Sequence, residues 1–485
     1  MQTERLQLLV GGEWKESQSQ DVRPTFNPAE GRALAGVPFS TRDEVRAAVD
    51  SGAERFESWK NVPILERVQY LFRMKQVLES EAEKLAVLNT QNHGKTLEES
   101  RGDLKRTIEN VDSAIAVAYT LAKGSTLDQI SPGVDVSMSK EPLGVFSIVC
   151  PFNFPLMIPF WFIPYAVVLG DTVVVKPSEV TPLPMQRVAH LLQEEVKLPA
   201  GVFNMVHGGA DVVEALISEP SVKGVTFVGS TPVARRVFEL AGKQGKRSIV
   251  NGGAKNSVVV TPAADLDASV PAIVSSFFGN SGQRCLAGAN LVAVGESEDG
   301  ILPRFARASS GLRVGDGLEP GTQMGPVVSK AAKERISGYV EKGLDEGARL
   351  VADGREARVA EHPDGFYLGA TVFSGVTPEM KIAKDEIFGP VASVLRVGSL
   401  DEAIEQINHA TPYGNMASIF TTSGREAREF RRRVNAGNVG INVGVPAPSG
   451  YFPFGGMRDS FFGTLHPQID SVDFFTDRKV TISRW

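Results

Sequence analysis

The chain has 485 residues, a formal net charge of −6 and hydrophobic residues at 42% of its positions. That length exceeds what one hydrophobic core usually fills, so we expect two or three structural units in an ordinary globular protein. Acidic and basic residues are interspersed, which gives neither a basic stripe for nucleic acid nor a polybasic anchor for a membrane.

Two cysteines, Cys150 and Cys285, are too few for a disulfide framework, and the N-terminal residues lack the apolar core of a signal peptide. We therefore expect a cytoplasmic protein. The longest apolar run, over 154–169, is interrupted by three prolines and is too short to span a bilayer. The six histidines show no metal-ligand spacing, so no metal site is expected.

Residues 1–62 combine short strand-like runs and turns with an amphipathic helix predicted over 41–60. Two longer helical patterns, over 64–92 and 96–123, predict an antiparallel helical pair. In the second pattern Arg106 points away from the apolar stripe, toward either solvent or a cleft. The alternating run over 133–140 predicts a strand, which an exposed hairpin or an intersubunit strand explains equally well.

From Gly144 onward strands and helices alternate. The first apolar runs cover 146–149, 172–175, 202–206 and 222–228, with helices over 182–196, 211–218 and 232–242. A second set covers 257–261, 291–294, 370–373, 392–397, 418–421 and 439–441, with helices over 266–278, 330–346, 401–409 and 425–434. This pattern predicts an α/β fold: a parallel, doubly wound sheet that binds ligand at its carboxyl ends, and a second α/β domain across a shared cleft.

A cysteine ends the run Phe277-Phe-Gly-Asn-Ser-Gly-Gln-Arg-Cys285, between a predicted helix and a predicted strand. The glycines of this loop allow a close approach to a ligand, and Arg284 puts a fixed positive charge beside the sulfur, which favours the thiolate. Cys285 is therefore the candidate nucleophile, with a small buried hydrophobic side chain as the alternative. Cys150 has no adjacent cation in its apolar strand, so we interpret it as core.

Polar residues follow three strands of the first set. Asn153, held between two prolines, can donate an amide hydrogen bond to a developing oxyanion. Lys176 and Glu179 stand where a nucleotide ribose could sit, and Ser230 precedes a helix whose N-terminus could accept a pyrophosphate. Turn punctuation is the alternative for each of these short runs. The chain has neither a G-x-G-x-x-G fingerprint nor a P-loop.

Together with Glu386-Ile-Phe-Gly-Pro390 and Pro453-Phe-Gly-Gly456, these runs resemble the NAD(P)-dependent aldehyde dehydrogenase superfamily over essentially the whole chain. Within it the chain is most similar to the coenzyme A-acylating methylmalonate-semialdehyde dehydrogenases. The runs that carry this closer resemblance are Pro151-Phe-Asn-Phe-Pro, Gly253-Ala-Lys-Asn256, Gly282-Gln-Arg-Cys285, Gly444-Val-Pro-Ala-Pro448 and Ser460-Phe-Phe-Gly-Thr-Leu-His466.

The resemblance implies a role for each matching residue. Cys285 would be the nucleophile, and Asn153 with the Cys285 backbone amide would form the oxyanion hole. The residues implied to bind NAD are Cys150, Phe152, Lys176, Glu179, Ser230, Glu386 and Phe388. Arg106 and Arg284 match positions that bind the substrate carboxylate, although Arg284 could instead serve mainly to lower the thiol pKa.

One position departs from the hydrolytic members, which carry a glutamate that activates water. The corresponding run here is Asn251-Gly-Gly-Ala-Lys255, and an amide cannot act as that base at neutral pH. Asn251 instead resembles the acylating branch, in which coenzyme A takes the acyl group. We therefore expect NAD-dependent oxidation of methylmalonate or malonate semialdehyde to propionyl-CoA or acetyl-CoA, with loss of carbon dioxide.

The resemblance also implies the domain organisation. We expect an atypical Rossmann-like NAD-binding domain over 1–122 and 142–251, and a catalytic domain over 252–445. Oligomerisation strands over 123–141 and 463–485 would build dimers that pair into a homotetramer.

Three alternatives remain open. A hydrolytic aldehyde dehydrogenase would need another carboxylate to replace the missing base. A non-catalytic binding protein with the same fold would be expected to lose the nucleophile, which is present. A cysteine hydrolase would need a histidine near the assigned motifs, and none lies there.

Overall fold

The computed structural model describes residues 4–485, so residues 1–3 of the predicted lead-in lie outside the described residues. The strands, in chain order, are β1 (Leu8–Val10), β2 (Glu13–Lys15), β3 (Val22–Asn27), β4 (Arg32–Pro38), β5 (Ser125–Ser131), β6 (Val134–Pro142), β7 (Val145–Val149), β8 (Thr172–Lys176), β9 (Phe203–Met205), β10 (Val222–Val228), β11 (Arg247–Asn251), β12 (Asn256–Val260), β13 (Gly288–Val294), β14 (Arg349–Ala352), β15 (Thr371–Ser374), β16 (Val391–Val397), β17 (Tyr413–Gly414), β18 (Met416–Phe420), β19 (Asn438–Ile441), β20 (Met457–Arg458), β21 (Phe461–Phe462) and β22 (Thr476–Arg484).

The helices pack on both sides of these strands. In chain order they are α1 (Arg42–Trp59), α2 (Ile64–Ser80), α3 (Ala82–His93), α4 (Leu97–Tyr119), α5 (Met157–Phe160), α6 (Ile163–Leu169), α7 (Leu183–Glu194), α8 (Ala210–Ser218), α9 (Thr231–Lys243), α10 (Leu266–Phe278), α11 (Ser297–Ser310), α12 (Lys330–Asp345), α13 (Lys381–Lys384), α14 (Leu400–His409), α15 (Gly424–Arg433) and α16 (Ser471–Phe475). No helix within residues 4–485 has both the length and the apolar composition needed to cross a membrane.

The first sheet has eight strands in the order β2-β1-β9-β8-β7-β10-β11-β21. Five strands within it run parallel, namely β9, β8, β7, β10 and β11, which confirms the predicted parallel sheet. Every residue of β7 and β8 is buried, as expected for strands covered on both faces. Val145 packs toward α1, whereas Phe146 packs on the other face with its ring 4.6 Å from that of Phe475.

The second sheet has seven strands in the order β14-β15-β16-β13-β12-β18-β19. All neighbours are parallel except β14, which joins β15 in antiparallel fashion at one edge. The predicted second set of parallel strands is therefore confirmed. Asn256 begins the interior strand β12, and the nucleophile loop leads into the central strand β13 beside it.

A separate three-stranded antiparallel sheet, in the order β22-β6-β5, joins the middle of the chain to its C-terminal end. The predicted strand over 133–140 forms its centre and pairs with β22 from Thr476↔Pro142 to Arg484↔Val134. The C-terminal strand covers only 476–484 of the expected 463–485, and residues 471–475 form the buried helix α16 instead.

One predicted helix was wrong in detail, and the helix α11 was missed. The pattern over 64–92 is two helices, because the backbone turns at Glu81 (φ −97°, ψ 7°), whose carboxylate pairs with Lys84 and Arg187. Helix α11 was not predicted, and it carries Pro303 in its interior, a residue that usually argues against a helix.

Candidate active site

Four predicted site residues lie at one edge of the first sheet. Asn153 follows β7, Lys176 ends β8, Ser230 follows β10 and Asn251 ends β11. These strands are neighbours and run parallel, so their carboxyl ends meet at the same edge. The structure therefore brings together the strand-end residues that the sequence pattern placed there.

The nucleophile loop has a strained backbone. Asn280 and Ser281 adopt φ values of 54° and 53°, a region that residues other than glycine rarely occupy. Gly282 also has a positive φ of 72°, and a Cβ there would lie 2.2 Å from the carbonyl oxygen of Gly389. Only glycine fits at position 282, because the chain passes directly against the segment that follows Glu386.

Hydrogen bonds from both sheets hold this loop. The carbonyl oxygen of Cys285 accepts a bond from Asn256 Nδ2 at 2.9 Å and another from Asn415 Nδ2 at 2.8 Å. From the first sheet, Asn153 Nδ2 donates to the carbonyl oxygen of Gln283 at 3.0 Å. Asn153 is buried, and this hydrogen bond places its side chain against the nucleophile loop. Its role as an oxyanion donor stays a prediction.

The Cys285 side chain is partly exposed to a cavity of about 210 Å³. Apolar side chains form much of its wall, including Phe154, Trp161, Leu286 and Phe454. The charged residues Glu99, Arg106 and Arg284 also line it. Such a cavity can hold a small molecule that has one charged end and one end presented to the sulfur.

The ionisation expected for Cys285 is a correction to the sequence interpretation. Burial, followed by the nearby carboxylate of Glu386, raises the thiol pKa to about 12. Arg284 lowers it, as do the backbone amides of Cys285 and Leu286, but these effects are smaller. Arg284 is weak here because its guanidinium donates to Glu99 Oε1 at 2.8 Å. A thiol with so high a pKa is neutral near pH 7.

The two predicted carboxylate-binding arginines line the same cavity, so Arg106 faces a cleft. Each already has an internal carboxylate partner. Arg106 Nη1 lies 2.7 Å from Glu109 Oε2, one helical turn away on α4, and the Arg106 side chain is 39% exposed. Arg284 and Glu99 form a less accessible pair, with side chains 18% and 17% exposed. A substrate carboxylate would therefore compete with Glu109 more easily than with Glu99.

The start of α9 fits a dinucleotide phosphate. Ser230 precedes the helix and is exposed, its side chain makes no capping hydrogen bond, and the first turn has no acidic residue. The first backbone N–H groups of this 13-residue helix are therefore open to an anion.

The predicted ribose-binding residues lie at the carboxyl end of β8, two strands away from β10 in the sheet. Lys176 Nζ donates to the carbonyl oxygen of Gly208 at 2.7 Å and lies 3.1 Å from Glu179 Oε2, while the Glu179 side chain stays 41% exposed. A fixed cation beside an accessible carboxylate suits ribose hydroxyls. The Cys150 thiol is buried, its pKa is raised to about 12 by burial, and its nearest acceptor is the carbonyl oxygen of Ile148. Its interpretation as core is confirmed, whereas a contact of Cys150 with coenzyme stays a prediction.

Glu386 and Phe388 extend from the second sheet toward these strands. Glu386 Oε1 accepts the Ala254 N–H at 2.9 Å, and burial raises the pKa of its carboxyl to about 7. Phe388 has a positive φ of 51° and packs edge-on to Phe152, with ring centroids 5.7 Å apart. The amide of Asn251 is buried, and neither of its polar atoms has a hydrogen-bond partner among residues 4–485.

Sequence reasoning missed several residues of this site. Glu99, Lys95 and Asp103 contact the nucleophile loop or the Asn153 segment, yet none belongs to the motifs that we singled out. One signal was present, because Thr96 and Glu99 form a capping box at the start of α4. That pattern marks a helix start and gives no sign of the contact between Glu99 and Arg284, 185 residues away.

A cavity-facing cysteine and, at the carboxyl edge of the first sheet, a helix start open to an anion fit the class of enzymes that use a thiol nucleophile with a dinucleotide. Residues 14–481 match the aldehyde dehydrogenase family, and the chain belongs to it. The resemblance found from the motifs is thereby confirmed, and so is the α/β fold class.

Three proteins, one curated relative and two solved structures, are similar to this chain over nearly its whole length. The chain is 44% identical to malonate-semialdehyde dehydrogenase 2 of Geobacillus kaustophilus over 481 residues, which cover 99% of each chain. It superposes with a TM-score of 0.97 on a putative methylmalonate-semialdehyde dehydrogenase from Sinorhizobium meliloti complexed with NAD, at 36% identity, over 100% of this chain and 98% of that one. A methylmalonate-semialdehyde dehydrogenase from Oceanimonas doudoroffii gives the same TM-score at 38% identity, over 99% and 98% of the two chains.

We expect alkylation of Cys285 by iodoacetamide to be slow near neutral pH in the ligand-free protein. Because the thiol pKa is raised, the rate should increase about tenfold per pH unit between about pH 7 and 9. Glu386→Gln removes a carboxylate that raises this pKa and should therefore speed alkylation at a given pH. Cys285→Ala gives the background from Cys150. A wild-type rate that is flat over this range would show a preformed thiolate instead.

Proposed function

We propose that this protein oxidises a carboxylated semialdehyde, such as malonate or methylmalonate semialdehyde, with NAD, and transfers the acyl group from Cys285 to coenzyme A. The proposal rests on one combination of features: Cys285 faces a cavity, and a buried asparagine, Asn251, stands at the position where hydrolytic members of the family have a glutamate. The names of the relatives support the substrate class.

In the proposed reaction the Cys285 thiol gives its proton to solvent water, and its sulfur bonds to the aldehyde carbon as the carbonyl π pair moves to oxygen. The Asn153 amide and the backbone N–H of Cys285 donate to the resulting oxyanion of the thiohemiacetal. Bound NAD supplies the acceptor for the hydride that leaves this carbon. The acyl group then remains on the sulfur as a thioester until coenzyme A thiolate attacks its carbonyl carbon and Cys285 leaves as thiolate. A carboxylate β to the thioester carbonyl departs as carbon dioxide, and the enolate that remains takes a proton from water at its α carbon, which yields acetyl-CoA or propionyl-CoA.

Asn251 supports coenzyme A as the acceptor. An amide nitrogen carries no lone pair basic enough to take a proton from water at neutral pH, so residue 251 cannot activate water against the thioester. A thiolate needs no such base at the moment of attack.

A second candidate, hydrolysis, has one observation in its favour. Glu386 acts on the electrostatics of Cys285, and its pKa of about 7 suits a general base. In the structure, however, its Oε1 accepts the Ala254 N–H, which holds the carboxyl at the junction of the sheets. Glu386 is therefore better placed to bind the coenzyme ribose, as the family resemblance implies.

NAD is proposed over NADP because of Glu179. Its exposed carboxylate would accept hydrogen bonds from ribose hydroxyls and repel a 2′-phosphate, although Lys176 softens this repulsion. The solved relative from Sinorhizobium meliloti was crystallised with NAD, which supports the same choice.

We keep the expected domain division as a proposal: NAD binding over 1–122 and 142–251, catalysis over 252–445. The first sheet supports it, since all of its strands except β21 come from the first pair of ranges. Strand β21, at 461–462, belongs to none of the proposed ranges and pairs with β11. The cytoplasmic location also stays a prediction.

A homotetramer built on β5, β6 and β22 is proposed from their exposed apolar side chains. Val480 and Ile482 on the edge strand β22 are 61% and 71% exposed, and Leu127 on β5 is 58% exposed. An exposed edge strand of nine residues is a ready site for pairing with another chain.

The decisive measurement is NADH formation from malonate semialdehyde with and without coenzyme A. Without it we expect one burst of NADH, equal in amount to the active sites, and then a stalled rate, because the thioester has no acceptor. Adding coenzyme A should restore steady turnover, and the Cys285→Ala variant should show no burst. Rapid, sustained turnover without coenzyme A would favour hydrolysis.

Arg106→Leu should raise the barrier for a carboxylated semialdehyde by about 1.5 to 3 kcal/mol in kcat/KM, the usual value of a hydrogen bond to a charged group. The loss for propanal should be much smaller, because propanal has no carboxylate. Lys105→Leu, at an exposed neighbouring position of α4, is the matched control. Equal losses for both aldehydes would show that Arg106 supports structure and does not bind the carboxylate.

The assembly proposal is tested by the double change Val480→Lys and Ile482→Lys, which puts two charges on one face of β22. We expect sedimentation velocity to show a tetramer for the wild type and a smaller species for the variant, because like charges at the same face oppose pairing. Thr481→Lys, on the opposite face of the strand, is the control. A variant that sediments like the wild type would place the interface elsewhere.

A further inference from the structure

The segment that carries Asn153 rests on a fully buried ion pair. Lys95 Nζ lies 3.2 Å from Asp103 Oδ2, and both side chains are 0% exposed. Lys95 precedes α4 and Asp103 lies in its second turn, so the pair is local in sequence. The proposed catalytic roles do not use either residue.

Both members of the pair bind the Asn153 segment, at its two ends. Lys95 Nζ donates to the carbonyl oxygen of Asn153 at 2.6 Å and lies 4.3 Å from the ring centroid of Phe154. Asp103 Oδ1 accepts the backbone N–H of Met157 at 2.8 Å. The stretch between β7 and α5 is thus held at one end by a cation and at the other by an anion.

A buried ion pair is a costly way to fill space, since apolar side chains of similar volume often stabilise a fold as well or better. What a charged pair adds is direction, because charge-assisted hydrogen bonds have narrow geometry. Here the hydrogen bonds of the charged pair go to main-chain atoms of the segment that holds the predicted oxyanion donor.

We infer that Lys95 and Asp103 are positioning residues for the oxyanion hole: together they fix the backbone of residues 153–157 and thereby aim the Asn153 amide at the nucleophile loop. The alignment is visible in the ligand-free structure, where Asn153 Nδ2 donates to the Gln283 carbonyl oxygen at 3.0 Å. Neither residue touches the reacting atoms in this role. The inference rests on the proposed function, because it takes Asn153 as the donor to the oxyanion.

The test uses the full-length protein and the rate of the first NADH burst with malonate semialdehyde. Lys95→Met should slow this burst by about tenfold or more, a fraction of the ~100- to 1,000-fold that loss of one oxyanion donor costs. The Kd for NAD and the rate of Cys285 alkylation should stay within about twofold, because neither depends on the direction of the Asn153 amide. Lys75→Met is the matched control, since it breaks the Lys75–Asp112 pair between α2 and α4, away from the Asn153 segment.

A double variant separates positioning from mere stability. Lys95→Met with Asp103→Leu leaves no unpaired buried charge, so its Tm should recover toward the wild-type value. If the pair acts by positioning, the burst stays slow despite that recovery. Recovery of the burst rate together with Tm would overturn the inference, and the double variant also carries the test if Lys95→Met fails to fold.

Asn153→Ala makes failure of the two proposals distinguishable. A slow burst in Asn153→Ala with a normal burst in folded Lys95→Met overturns the positioning role and leaves the proposed function intact. A normal burst in Asn153→Ala would remove the oxyanion role itself, and the inference with it. Slow bursts in both single variants and in the charge-free double variant are the expected result.

Discussion

Two asparagine amides hold the main-chain carbonyl of Cys285, and the geometry of the site depends on that contact. Asn256 begins β12, an interior strand of the second sheet, and Asn415 immediately precedes the neighbouring strand β18. They fix the nucleophile relative to the second sheet, while Asn153 ties residue 283 of the same loop to the first. A cysteine on a strained loop therefore has a defined position between the sheets, which covalent chemistry at one carbon requires.

The charged groups around this loop are largely paired or neutral before any ligand binds. Arg284 is bound by Glu99, and burial moves the pKa of Glu386 up, and that of Lys255 down, to about 7. The same burial holds the Cys285 thiol neutral. A positively charged group bound beside the sulfur would lower the thiol pKa, because it favours the thiolate. We therefore expect Cys285 to become more reactive when its ligands bind. This arrangement limits oxidation and alkylation of the resting enzyme.

The sequence predicted those parts of the fold whose signal is local. Strand Val222–Val228 and helix Leu266–Phe278 have the predicted bounds, because a buried strand is a continuous apolar run and a capped helix has a clear start. Family motifs identified the candidate site residues at the strand ends. The protonation state of the Cys285 thiol could not be predicted from the sequence. Arg284 is adjacent to Cys285 in sequence, but its guanidinium is bound by Glu99, which lies on a helix distant in sequence. Strand β21 was missed because two residues carry no period.

The fate of the thioester depends on which carboxylates can reach water beside it. Asn251 removes the base that hydrolytic relatives use, and Glu99 is bound by Arg284 and by the Asn280 N–H. Glu386 keeps a suitable pKa, but its Oε1 accepts the Ala254 N–H, at the side of the junction where we propose that the coenzyme binds. A thioester on Cys285 would thus have neither residue 251 nor a free Glu99 to activate water, and its lifetime would be set by the arrival of a thiol unless Glu386 turned toward it. In the proposed reaction, selectivity for coenzyme A over water would follow from a missing base and would not require tighter binding of the acceptor.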